Sequence, residues 1–526
     1  MRVLWYNQSM ENVTVTTENW PEVFMKMKGQ IAELEALVKY YEERFKLMAR
    51  RQFGASSEQL DPEEFGQVSL FNEPEALADQ TLPEPELEEI TYKRKKQKGK
   101  REQDLSGLPV ERVEYELPAE ERVCPECGGV MDDIGVHVHR TLKVEPAKVI
   151  VVEDAVHTYA CKPCGQMLDH TPIVEAPAPE PLISGSLATP SLVSYVMTQK
   201  YQSGMPLYRI EKGFQFDGVN ISRQTMANWI IKCSQMFLSA LYSLLVSLLL
   251  KESVLHADET VFQVLKEPGR KPQTKSYEWV YRTSGCSQHP IVIYDYRETR
   301  GHEHPKEFLK DFKGYLHADG YDAYHNLPPG ITVVGCWAHM RRYLENHLKT
   351  LPAPKRAESQ TATGLSYIQK LFVLEREWKG LSPEERLENR LLKSKPVSDA
   401  FFAWAEGVGA LPKSKLGEAV HYALSQRKYL ENVWLDGRLE LSNNRCERSV
   451  KPFVMGRKAW LFADTPNGAE ASSIVYSIIE TAKENGLRPF QYVQYLLETL
   501  PHTTTSGLAD LLPWSDSIPD DCRVPM

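Results

Sequence analysis

Residues 253–265 read SVLHADETVFQVL, and residues 314–321 read GYLHADGY. Each is an apolar run that ends in the same phrase, LHAD. In the first, Asp258 closes the run 254–257; in the second, Asp319 closes 315–318. Around them lie YEWVYRT (277–283), PIVIYDYRET (290–299) and ITVVGCW (331–337), short runs of β-branched and aromatic residues parted by turn formers. A helix is expected from about His339. Three consecutive strands, a short helix, another strand and further α/β units suit a mixed sheet.

An aspartate where a buried strand emerges is poorly placed unless something binds it. Two of them on neighbouring strands repel, and a divalent cation relieves the repulsion; oxygen ligands favour Mg²⁺ or Mn²⁺ over zinc. The plainer alternative is that each Asp caps a turn, in DET and DGY. A third carboxylate stands in LSNNRCERSVKPFVMGRKAWLF (441–462), where Glu447 is the one acidic residue. Ser442 is placed to cap its helix, and Arg445, Arg448, Lys451, Arg457 and Lys458 surround it in sequence. Glu447 is either their salt-bridge partner or the carboxylate that completes a metal pair beside phosphate-holding cations.

The 526 residues suffice for three or four domains, and 42% hydrophobic with 25% charged residues excludes wholesale disorder. The net charge of -9 is local: residues 58–91 hold eleven acidic residues and no Lys or Arg, which leaves +2 for the rest. KRKKQKGKR (93–101) follows, so residues 61–115 are expected to be an acidic, then basic, linker; the basic run either touches DNA or pairs with the acidic segment. Upstream, Phe24, Met27, Ile31, Leu34, Val38, Tyr41, Phe45 and Met48 form a heptad seam. Residues 20–60 therefore read as a coiled-coil helix that joins chains, or as an amphipathic helix packed on its own chain. No signal peptide is visible, and the longest apolar stretch, 237–250, is shorter than the ~20 residues of a spanning helix. A buried helix of a soluble cytoplasmic protein is expected.

Nine cysteines are too few for a disulfide framework, and four fall in CPECG and CKPCG. Cys124, Cys127, Cys161 and Cys164 form two knuckles that complete a tetrahedral, structural zinc site within a ribbon over 116–170; four unrelated thiols are the alternative. The alternating segment 139–161 suggests paired strands between the knuckles. Over 185–250 come a helix from Ser191, a break at Gly204-Met205-Pro206, a helix from Leu207 and a third that Ser222 caps. The third presents Arg223, Gln224 and Asn228 outward and Met226 and Ile230 inward. This is like a helix-turn-helix, which would read DNA or serve as scaffold.

In this order the zipper with RRQFGASSEQL, the two knuckles, the LHAD strands, CWAHMRRYLE, NNRCERSVKPFVMGRKAWLF and TAKENGLRPFQYVQYLLETLP resemble transposases of the insertion sequence sixty-six family over almost the whole chain. The resemblance implies a multidomain α/β fold: coiled coil, zinc ribbon, helical DNA-binding region and a ribonuclease H-like core over 251–345 and 437–485. A helical insertion would fill 346–436, required by the 128-position step from Asp319 to Glu447, and a C-terminal region 486–526. It also implies a DDE triad of Asp258, Asp319 and Glu447 holding Mg²⁺ or Mn²⁺, binding of element ends and target DNA, and strand transfer. At least a dimer and accessory transposition proteins are implied as well, in a bacterial, nucleoid-associated setting. His339, Arg341 and Arg342 are the candidates for orienting phosphate, or are surface residues. Arg448, Lys451, Arg457 and Lys458 are candidates for the DNA backbone. A structure-selective nuclease and an inactive DNA-binding regulator are the competing readings.

Overall fold

The computed structural model describes residues 148–160, 173–177 and 180–525. The expected coiled coil, the linker and the four knuckle cysteines lie outside the described residues. Of the strands expected between the knuckles, β1 (Thr158–Ala160) is described, and it pairs antiparallel with β2 (Ile173–Glu175). Val149 to Val152 form no strand and are exposed.

Residues 180–525 are built on a mixed five-stranded sheet. Its strands are β3 (Val254–Gln263), β4 (Lys275–Thr283), β5 (Val292–Arg297), β6 (Gly314–Ala318) and β7 (Ile331–Gly335). Their order is β5-β4-β3-β6-β7. The first three form an antiparallel meander, while β6 runs parallel to β3 and β7 parallel to β6. The helix α4 (Glu303–Phe308) lies on the crossover that returns the chain from the β5 edge to the far side of β3. This inserts β6 next to β3 and so brings the two LHAD phrases side by side, with Leu255 opposite Leu316 and His256 opposite His317.

Alternation along β3 sends His256, Asp258, Thr260 and Phe262 to one face. That face is covered by α10 (Asn444–Trp460), whose Phe453 and Trp460 meet the Phe262 ring at 4.9 and 5.6 Å. Beside it α11 (Pro466–Glu484) runs along β5, where the hydroxyls of Ser477 and Thr481 accept the Tyr294 and Val292 amides at 2.8 and 3.0 Å. Two helix hydroxyls thus stand in for a further strand and close the edge of the sheet. Arg282, buried on β4, ties both helices down: it donates to Ser449 Oγ at 2.6 Å and to both carboxylate oxygens of Glu484 at 3.2 and 2.9 Å.

On the N-terminal side, α1 (Pro190–Tyr201), α2 (Leu207–Phe216) and α3 (Arg223–Leu249) follow the expected breaks, with Ser222 Oγ accepting the Thr225 amide. The length of α3 is a correction. A π-helical turn at Ser234–Leu238 carries it through to 27 residues, long and apolar enough to cross a membrane. Met226, Trp229, Ile230, Cys233, Leu238, Leu241, Leu245 and Leu249 form a buried stripe along it, and they share one core with the sheet, α11 and the C-terminal residues. That core takes in α12 (Pro489–Thr499), which packs on α1, and Leu508, Leu511, Ile518 and Cys522 beyond it.

A second core lies beyond β7. It gathers α5 (Trp337–Thr350), α6 (Gln360–Glu377), α8 (Lys395–Gly407) and α9 (Lys415–Leu430) around Trp337, Phe401, Phe402 and Trp434, while the short α7 (Pro383–Asn389) buries no side chain. The long step from Asp319 to Glu447 is filled by these helices, and the chain returns to the sheet at Leu439 and Leu441.

Candidate active site

Asp258 lies within β3 rather than at its end, since the strand continues to Gln263. Asp319 follows the last residue of β6. Each stands two positions beyond the facing pair His256 and His317, and the parallel register carries both toward the same edge of the two strands. Glu447 comes to them from the first turn of α10. Burial, and then the charges of Glu259, Asp319 and Glu447, hold the Asp258 carboxyl well above the usual carboxylate range. Three acids that share one field and lie partly open to solvent are a fit to cation binding: the donors are all oxygen, and their mutual repulsion is what a hard divalent ion removes.

The phosphate-orienting candidates divide. Arg342 donates to Glu447 Oε2 at 3.1 Å, and His339 Nε2 lies 3.7 Å from Glu447 Oε1. Arg341 instead binds Glu345 of its own helix at 2.7 Å. Cys336, His339 and Glu447 also place one potential ligand atom each within 4.8 Å of the others. Cys336 is a poor metal donor, however, because burial pushes its thiol up to about 12 and its sulfur accepts the Asn443 amide at 3.1 Å.

Of the cations on α10, Arg448 and Lys458 are exposed and Lys451 is partly so. Arg457 turns inward and donates to Thr260 Oγ1 at 3.2 Å, on the strand that carries Asp258. On α3, Arg223, Gln224 and Asn228 are exposed, while Met226 and Ile230 are buried.

Four residues around the carboxylates escaped the sequence reading. His256 and His317, the histidines of the two LHAD phrases, stack in the interior with ring centroids 4.4 Å apart. Burial pushes His256 down to about 4 and His317 well below its usual range, so both are neutral. Asn443, not Ser442, is the N-cap of α10, and its side chain serves the sheet. Its Nδ2 donates to Ala257 O at 2.8 Å and its Oδ1 accepts from His256 Nδ1 at 2.9 Å. Its carbonyl in turn accepts the Glu447 amide at 3.1 Å. Glu259, on the opposite face from Asp258, is clamped by Arg300 and accepts the Tyr324 hydroxyl at 2.6 Å. The histidine signal was present in the repeated phrase; Asn443 had none, because Ser442 fits a capping position equally well.

Asn443 is the joint between the two halves of the site. Asn443→Ala leaves the Ala257 carbonyl and the His256 N–H without partners, a loss of about 1–3 kcal/mol per buried group, and frees the helix start that carries Glu447. For the DNA cleavage that the family resemblance implies, the single-turnover rate is expected to slow by roughly tenfold or more for a small displacement of a reacting group, with DNA affinity nearly unchanged. Equal losses of affinity and rate would mark Asn443 as structural only.

Comparison with known proteins bears on the family of the chain. The model of the "Transposase IS66 family" matches residues 185–471, and that of the "IS66 C-terminal element" matches 477–514. Residues 40–113 match "Transposase C of IS166 homeodomain", and 121–165, which hold Cys124, Cys127, Cys161 and Cys164, match the "zinc-finger binding domain of transposase IS66". Among curated proteins, the uncharacterized protein y4qI of Sinorhizobium fredii is 30% identical over 93% of this chain and 92% of its own. Two others from that organism, y4jD and y4hP, are 28% and 27% identical over 78% and 77% of this chain, and 82% and 74% of theirs. A sheet that brings both LHAD phrases together, a zinc-finger segment ahead of it and a family match over more than half its length leave one conclusion: the chain belongs to the IS66 transposase family, a family of DNA-binding enzymes.

Proposed function

We propose that this chain cuts the ends of its insertion element and joins them to target DNA at a centre formed by Asp258, Asp319 and Glu447. The observation that carries the reading is the convergence of these acids from β3, β6 and α10 upon one another's field. The sheet supports it as well: a three-stranded antiparallel meander followed by two parallel strands is the order of a ribonuclease H-like core. Glu447 follows that sheet in sequence after the helices of the second core.

The three carboxylates would hold Mg²⁺ or Mn²⁺, which supplies activation of the attacking oxygen and stabilisation of the leaving oxygen at phosphorus. The rest falls to the chain. Arg342 neutralises Glu447 in the metal-free state, and its guanidinium, beside that carboxylate, would hold a non-bridging phosphate oxygen. Neutral His339, beside Glu447, positions phosphate or water without adding charge; burial keeps it below its usual range. Asn443 and the stacked histidines hold Glu447 in register with Asp258.

Structural zinc at Cys124, Cys127, Cys161 and Cys164, end recognition by the zinc finger with Arg223, Gln224 and Asn228, pairing of chains through residues 20–60 and a cytoplasmic, nucleoid-associated setting belong to the same reading. Cys124→Ser is expected to lose zinc and weaken end binding while the sheet domain stays folded; full zinc retention would overturn the ligand assignment.

The test is cleavage of a duplex bearing the inverted repeat that flanks the gene, in Mn²⁺. Cutting at the repeat boundary with a free 3′-hydroxyl is expected. Cutting of branched DNA irrespective of the repeat would make the chain a structure-selective nuclease instead.

A further inference from the structure

The end of α10 has a feature that the proposed chemistry does not use. Leu461, with φ 68° and ψ −52°, is the one non-glycine residue of positive φ among the described residues. The Phe462 amide donates to the Trp460 carbonyl at 2.9 Å, which closes a γ-turn of the rare, strained hand. The turn is fixed on both sides. Before it, the Leu461 amide donates to Arg457 O at 2.7 Å, and the Trp460 ring packs on Phe262 and Phe453 with the Lys200 ammonium 4.7 Å above it. After it, Ala463 N donates to Gln263 O and Ala463 O accepts the Leu265 amide, each at 3.0 Å.

A strained turn held this firmly throws its side chains outward. Leu461 is 61% exposed and Phe462 42% exposed, although α10 ends beside a core rich in rings. Cations lead to them. From Arg448, which adjoins Glu447, steps of three and four residues lead along α10 through Lys451, Met455 and Lys458 toward Phe462 just beyond the helix end. The neighbouring β3–β4 loop adds exposed Lys266 and Lys271, and exposed Lys275 opens β4; Lys266 binds Asp464 at 2.7 Å. Leu461 stands fourteen positions beyond Glu447, about 21 Å along the helix, or about six base pairs of duplex.

We propose that Leu461 and Phe462 form an apolar wedge that opens a base step of the bound element end, about six base pairs from the scissile phosphate, while Arg448, Lys451 and Lys458 follow the intervening phosphates. The inference rests on the reading of Asp258, Asp319 and Glu447 as the chemical centre. Large apolar side chains fixed on a rigid turn amid cations suit unstacking of duplex DNA, and flexible pyrimidine–purine steps open at least cost.

The experiment places 2-aminopurine in turn along the element-end duplex and follows its fluorescence on binding in Ca²⁺. Anisotropy gives affinity, and cleavage in Mn²⁺ is measured on the same duplex. The native chain is expected to raise fluorescence at about the sixth base pair and little elsewhere. Phe462→Ala and Leu461→Gly should each abolish the rise and weaken binding by roughly tenfold, with the salt dependence unchanged, because no phosphate contact is lost. Leu461→Gly also relieves the positive φ, so its melting temperature should not fall. Lys458→Ala should keep the rise and flatten the salt dependence. A native chain that cuts the end with no fluorescence rise, or a rise that persists in both variants, overturns the wedge alone. A native chain that neither binds nor cuts the end overturns the proposed function and the wedge with it.

Discussion

Asp258→Asn is expected to abolish cleavage and joining while raising the stability of the metal-free chain. Under the proposed function Asp258 holds the reactive cation, and its loss would remove several kcal/mol of transition-state stabilisation, so the rate should fall on the order of a thousandfold or more. The stability effect has the opposite sign. In the unfolded chain Asp258 ionises in the usual carboxylate range, whereas in the fold burial and the neighbouring acids make it hold its proton. The folded state thus binds the proton more tightly, and metal-free stability falls as pH rises above about 4 toward the raised native value. Asparagine carries no such penalty. In EDTA at neutral pH the variant is expected to melt a few degrees above the native chain, with the gap closing toward pH 4. Mn²⁺ should then raise the native midpoint and leave the variant nearly unmoved. A variant less stable than the native chain at every pH would mean that Asp258 supports the fold rather than a cation.

Trp337→Ala is expected to produce the largest loss of stability, about 3–5 kcal/mol. The Trp337 ring is fully buried, with the rings of Phe401, Phe402 and Trp434 5.6, 5.8 and 6.4 Å away. Its indole N–H donates to Leu430 O at 3.1 Å, and its amide donates to Leu441 O at 2.9 Å. One residue therefore joins β7, the helices of the second core and the segment that leads into α10. Since His339 follows two positions later, the cavity should also loosen the site, with cleavage lost before the chain unfolds. Trp337→Phe keeps most of the packing and gives up the indole hydrogen bond, and should recover most of the stability. Urea unfolding measures both; a loss below about 1 kcal/mol for the alanine variant would show that the second core stands apart from the sheet.

These two residues also show what the sequence could and could not reveal. The repeated LHAD phrase was legible because a carboxylate that closes a buried apolar run is chemically odd, and parallel pairing sets the two phrases side by side. Glu447 was legible as a lone acid among cations. Trp337 read only as an apolar residue before a helix, because its partners lie more than sixty positions away, and nothing local marks a contact of that range. Asn443 was hidden by Ser442, since either side chain suits a helix start and the deciding bond goes to β3. The length of α3 was missed because Ser234 and Gln235 interrupt the apolar run; the buried seam at Trp229, Cys233, Leu238, Leu241 and Leu245 passes them with a step of five at the π-helical turn, which α-helical spacing does not anticipate. Glu259, next to Asp258, looked like part of a turn, whereas the strand continues and sends it to the opposite face, onto Arg300.

The central claim is that Asp258, Asp319 and Glu447 form one chemical centre for DNA end joining. Its most direct test is strand transfer of a pre-cleaved element end into plasmid DNA in Mn²⁺, comparing the native chain with Glu447→Gln, and with end binding measured alongside. Joined product from the native chain alone, at equal end binding, is the expected result. Equal joining by Glu447→Gln would contradict the account, because a centre that works without this carboxylate is not the one assembled from β3, β6 and α10.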